Sequence, residues 1–96
     1  MSFGAVLLER RWRGKAGEVD LILRDGEELV FVEVKKSKSF ARAAESLSNR
    51  QLGRICRAAE EYLGTQRDGS LTPMRVDVAL INEAGKIKIL RNVTGF

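Results

Sequence analysis

Residues 17–35 read Gly-Glu-Val-Asp-Leu-Ile-Leu-Arg-Asp-Gly-Glu-Glu-Leu-Val-Phe-Val-Glu-Val-Lys. Asp-Gly between two apolar, β-branched runs is a strong local signal for two antiparallel strands joined by a tight turn. Strand side chains alternate between the two faces of a sheet. One face of the hairpin then carries Val19, Leu21, Leu23, Val30, Val32 and Val34, all apolar. The other carries Glu18, Asp20, Ile22 and Arg24 opposite Leu29, Phe31, Glu33 and Lys35. With Gly26 and Glu27 at the tip, Asp20 faces Glu33 and Glu18 faces Lys35. Moving the tip to Asp25-Gly26 slides the pairing by two and leaves the faces unchanged. A slip of one would set the valine row against the charged row, which burial forbids. Directly opposed residues stand about 5 Å apart at Cβ, where like charges destabilise the pair. Two facing carboxylates therefore need a reason: a divalent cation between them, or a buried Arg or Lys.

The 96 residues make a single domain, 1–96, with no room for two cores. A chain of this length buries about 65% of its extended surface, so its stability is modest. Hydrophobic content of 44% with 31% charged residues is ordinary for a folded globular protein and too apolar for a disordered one. No apolar run approaches the length of a membrane span, and the N-terminal segment has no signal-peptide pattern. A lone cysteine, Cys56, cannot form an internal disulfide, and a reducing cytoplasm is the expected compartment. The absence of histidine excludes the usual zinc sites and His-based catalysis, but not oxygen-ligated metals.

Around the hairpin the pattern predicts a first strand over residues 5–12 and a loop over 14–17. Residues 36–46 read as a polar loop with a helical turn near 41–45. Ser48 or Asn49 caps a helix running to about Leu63, with Leu52, Ile55, Cys56, Ala59, Tyr62 and Leu63 on one side. Gly64 ends it, 68–73 is a loop, and strands follow over 74–81 and 86–90. The order β-β-β-α-β-β describes a mixed β-sheet with a helix packed on it, in the α/β to α+β range.

Net charge is +4, and its distribution is uneven. Arg10, Arg11, Arg13 and Lys15 precede the hairpin; seven bases against one acid lie between Lys35 and Arg57; six acids fall between Glu18 and Glu33. An acidic spot flanked by basic segments suits a polyanion held by its phosphates and touched at one point by a metal. Uneven surface charge of no consequence is the competing reading. Magnesium takes a few carboxylates and keeps several waters, and Asp20, Glu33 and Glu18 on adjacent strands supply such a set. Such an ion polarises a phosphodiester and lowers the pKa of water, and a lysine beside it stabilises the charge building on phosphate. Glu18 equally suits a salt bridge to Lys35. Asp77 reads as structural, paired with Arg75 or another base, rather than as a third ligand. Trp12 and Phe40 read as covers of a core edge, with stacking on bases the alternative, and Cys56 as a small core residue.

Gly-Glu-Val-Asp-Leu-Ile, Leu-Val-Phe-Val-Glu-Val-Lys, a basic helix and Arg-Val-Asp-Val-Ala together resemble the uncharacterised bacterial YraN family. That family is grouped with the PD-(D/E)XK nucleases and is similar to archaeal Holliday-junction resolvases. The resemblance spans about Val6 to Asn92, and the hairpin is its specific part. It implies a restriction-endonuclease-like core, with Asp20 as metal-binding aspartate, Glu33 as second carboxylate and Lys35 as catalytic lysine. It makes Glu18 an additional acid for the metal or a partner for Lys35, and it places Gln51 near the site. Relatives usually begin with a further helix bearing a Glu; this sequence starts at the strand after it. Arg11 stands where the family typically has Asn.

The expected function is a Mg²⁺- or Mn²⁺-dependent endonuclease-like domain hydrolysing phosphodiester bonds in DNA, branched structures included. Backbone phosphates would be held by Arg13, Lys15, Lys36, Lys38, Arg42 and the helix positions Arg50, Gln51, Arg54 and Arg57. A homodimer would suit a symmetric junction. The alternatives are a catalytically inactive nucleic-acid-binding module with the same fold, and an interaction domain whose charged face is a salt-bridge lattice.

Overall fold

The computed structural model describes residues 4–94. Its strands are β1 (Val6–Arg13), β2 (Glu18–Asp25), β3 (Glu28–Lys36), β4 (Met74–Ile81) and β5 (Ile87–Leu90). They form one sheet in the order β1-β2-β3-β4-β5. β3 and β4 run parallel; the other neighbours are antiparallel. A parallel join needs a long crossover. Residues 37–73 supply it through α1 (Phe40–Glu45), α2 (Asn49–Leu63) and a short 3₁₀ turn at Gly69–Leu71. The mixed sheet and the strand order follow the sequence pattern, and the fold is α+β.

The hairpin turns on Gly26 and Glu27, with Gly26 in the left-handed region at φ 65°. Its ladder runs from Asp25↔Glu28 to Leu21↔Val32 and stops there. Ser39 and Ser48 cap the two helices, each hydroxyl accepting the N–H three residues on, at 3.2 and 3.1 Å.

The principal core lies under α2. Ile55, Ala58, Ala59, Tyr62 and Leu63 pack on Ile22, Leu29, Phe31 and Val76. Trp12 and Phe31 both meet the Tyr62 ring edge-on, with centroids 5.3 and 5.9 Å away. Ala43 of α1 packs on Val78 and Leu80. The helices thus cover the mixed face of the hairpin, while Leu23, Val30, Val32 and Ala79 form a second cluster.

Val19 departs from the alternation expected of it. It is fully buried in the core beneath α2, whereas Leu21, two residues on, packs with the valine row. The cause is a local reversal: the β1–β2 register omits Arg11 and Asp20, and Arg11 has φ 49°. Trp12 and Val19, paired beyond this point, both turn toward the helix.

At the opposite end of the hairpin, Arg75 of β4 is buried among Asp77, Glu28 and Asp25. Asp77, with no exposed surface, also accepts the Asn92 N–H at 2.9 Å. The structural role read for Asp77 holds, with Arg75 as its partner.

Candidate functional site

Past Leu21↔Val32 the hairpin strands no longer exchange ladder bonds. The Asp20 carboxylate fills the gap, its Oδ2 accepting the Val34 N–H at 2.8 Å. A side chain here does the work of a strand carbonyl, which fixes the carboxylate at the seam between β2 and β3.

Glu33 stands beside it. Its pKa is pushed up to about 7, first by burial, then by the Asp20 charge and by hydrogen-bonding contact with the Asp20 carboxyl. Lys35 opposes the rise, and Glu18 adds to it. All four groups singled out in the sequence therefore lie within one electrostatic neighbourhood. Glu18 itself is tied down: Arg11 Nε and Arg13 Nη2 donate to its carboxylate at 3.3 and 3.1 Å. These two guanidiniums hold it below the usual carboxylate range. Its cross-strand partners are thus on β1, and no Glu18–Lys35 bridge forms among the described residues.

Among the described residues, no group of three or more His, Cys, Asp or Glu is placed to hold a metal ion. Asp20 and Glu33 make a pair. A pair of hard oxygen donors fits a cation that keeps most of its waters. The desolvation and repulsion that raise the Glu33 pKa are also what a cation would offset.

The loop entering β2 is pinned from α2. Glu61 accepts the N–H of Lys15 with both oxygens at 2.8 Å and that of Ala16 at 3.3 Å. Gly14 N–H closes the loop onto the Gly17 carbonyl at 2.9 Å. A Cβ at Gly14 would collide with Glu61 Oε2 and the Trp12 ring, so a larger residue there must displace one of them. Sequence reasoning missed Glu61, because no spacing rule links a helix residue to a loop 46 positions earlier.

Arg13, Lys15, Lys36, Lys38, Arg42, Arg50, Arg54 and Arg57 are all exposed, and Gln51 is half-buried in the first turn of α2. The stem of Arg54 lies against Gly17, about where a Cβ would be 3.1 Å away, next to Glu18. A cavity of about 450 Å³ lies elsewhere, lined by Cys56, Glu60, Leu63, Ser70 and Met74. It holds none of the site acids, and burial, with the nearby Glu60, pushes the Cys56 thiol up, away from the reactive thiolate. Among the described residues, no helix is long and apolar enough to cross a membrane.

The family model for uncharacterised protein family UPF0102 matches residues 2–81. A UPF0102 protein of Ruegeria pomeroyi is 56% identical over 92 residues, 96% of this chain and 75% of that protein. One from Cereibacter sphaeroides is 58% identical over 83 residues, covering 86% and 71% respectively. Another, from Roseobacter denitrificans, is 52% identical over 91 residues, covering 95% and 70%.

Proposed function

The chain belongs to uncharacterised protein family UPF0102, and on that premise we propose that it is a divalent-metal-dependent nuclease of the PD-(D/E)XK kind, acting on DNA. The observation that carries this reading is the Asp20–Glu33 carboxyl pair at the splayed end of the hairpin, with Lys35 beside it.

Asp20 and Glu33 would hold Mg²⁺ or Mn²⁺. When bound, such an ion polarises a phosphodiester and lowers the pKa of a water. The bond from the Val34 N–H keeps Asp20 oriented at the strand seam. Glu33 is poised between protonation states near neutrality, so it can give up its proton to a cation at little cost. Lys35 supplies a positive charge felt at Glu33, suited to orienting water or to meeting charge that builds on the phosphate. The exposed bases Lys36, Lys38, Arg42, Arg50, Arg54 and Arg57 would bind backbone phosphates, giving salt-sensitive affinity with little sequence preference.

The rival is a nucleic-acid-binding module without turnover. It draws on the lack of a third carboxylate grouped with Asp20 and Glu33 among the described residues. The test is cleavage of duplex, single-stranded, flap and four-way DNA in Mn²⁺. The nuclease reading expects cleavage by wild type, its loss in Asp20→Ala and Lys35→Ala, and persistent binding in both. Binding with no cleavage of any substrate would favour the rival.

A further inference from the structure

Glu18 is close enough to Glu33 for its charge to be felt, yet its carboxylate faces two arginines. The arrangement is lopsided. The Arg11 and Arg13 side chains are 82% and 78% exposed, while that of Glu18 is 28% exposed. Arg11 spends its Nε and Arg13 one Nη on the acid. A guanidinium has five N–H donors, so most of this donor capacity is turned to solvent. Exposed ion pairs of this kind are weak and yield to competitors. A phosphodiester is a strong competitor, since it can accept paired hydrogen bonds from each guanidinium.

The backbone adds a second observation. Arg11 occupies the left-handed region, which a non-glycine strand residue rarely adopts. This twist sends Trp12 into the helix-side core, while Arg11 and Arg13 converge on Glu18. Both arginines are therefore placed on Glu18 by the packing of the residue between them.

We propose that Arg11 and Arg13 form a phosphate-operated latch on Glu18. An incoming phosphodiester takes the two guanidiniums, and Glu18, released, joins Asp20 and Glu33 as a third carboxylate for the divalent cation. The inference rests on the metal-dependent reading above and goes beyond it, by making cation and nucleic acid recruit each other. Coupling of this kind is reciprocal: each ligand tightens the other by the same factor. It accounts for a site that pairs Asp20 with Glu33 while the nearby Glu18 is held by two arginines.

The test is a pair of mutant cycles on wild type, Glu18→Gln, Arg11→Ala/Arg13→Ala and the triple variant, with thermal melts to verify folding. In the first cycle, affinity for a short labelled DNA duplex is measured in EDTA. Glu18→Gln is expected to tighten binding by about two- to fivefold, the range an exposed ion pair allows, when both arginines are present, and to do nothing when they are absent. Glu60→Gln, an acid on α2, should shift affinity equally in both backgrounds. In the second cycle, Mn²⁺ affinity is read without DNA by the electron paramagnetic resonance signal of the free ion. The arginine double variant should bind Mn²⁺ several-fold more tightly, and adding Glu18→Gln should remove that gain. Equal effects of Glu18→Gln in both backgrounds, with Mn²⁺ binding intact, would overturn the latch and leave the nuclease reading standing. Absence of Mn²⁺ binding in every variant would overturn both the nuclease reading and the cation half of the latch.

Discussion

Glu33 concentrates most of the site's chemistry in one side chain. Its pKa, raised to about 7 by burial and by Asp20, means that folding favours the protonated acid. The unfolded chain releases this proton near the ordinary value of 4.5, so stability from this group is fully present below that pH. It is lost as pH rises from about 4.5 to about 7, and is flat above. Allowing for solvent screening of a half-buried group, the loss is on the order of 1 kcal/mol. Thermal melts in EDTA across that range should show the decline, and Glu33→Gln should abolish it. Added Mn²⁺ should raise the melting temperature most above pH 7, where no proton competes, and Asp20→Asn should remove that rise. Alternation and a hairpin turn were enough to place Asp20, Glu33 and Lys35 together. The bond from Val34 N–H to Asp20 was not legible, because it depends on where the ladder ends.

Among the elements, α2 does two jobs. Its apolar side closes the core, and Glu61 holds the loop that leads into Glu18 and Asp20. Glu61→Ala would strip the Lys15 and Ala16 N–H groups of their acceptor. The expected loss is about 1–2 kcal/mol by urea denaturation, with weaker Mn²⁺ binding from a looser β2 entry. Gly14→Ala should be at least as harmful, since its Cβ would overlap Glu61 and Trp12. The helix itself was legible from its 3.6-residue period and Ser48 cap. Ala58 is also fully buried, three residues after Ile55 and four before Tyr62, so the covered side of the helix is broader than the predicted one. Val19 was misplaced because nothing about an arginine announces a left-handed backbone at position 11. Periodicity describes a regular strand, and β1 and β2 cease to be regular where the site begins.

For the molecule as a whole, Arg75 ties the distant parts together. It joins the hairpin turn, through Asp25 and Glu28, to Asp77, and Asp77 in turn holds the Asn92 backbone. Arg75→Ala would leave the fully buried Asp77 carboxylate without its counter-charge. Removing one partner of a buried pair costs about 3–5 kcal/mol, a large share of the 5–15 kcal/mol typical of a domain. A collapse of the urea midpoint would bear this out; a change below about 1 kcal/mol would show that the lattice is dispensable. The sequence pointed to a basic partner for Asp77, Arg75 among the candidates, and the structure selects Arg75. The reach to the hairpin turn follows from the parallel register that sets Val30 beside Arg75.

That parallel register also has a consequence in time. The three-strand meander of β1, β2 and β3 closes through short turns, which form in microseconds. β4 can dock on β3 once residues 37–73 have looped back, a slower search. Newly made chains should therefore pass through a moment when the meander exists and its inner edge, β3, is still bare. In stopped-flow refolding, substitutions in the hairpin core should slow the forward rate, whereas Arg75→Ala should chiefly hasten unfolding.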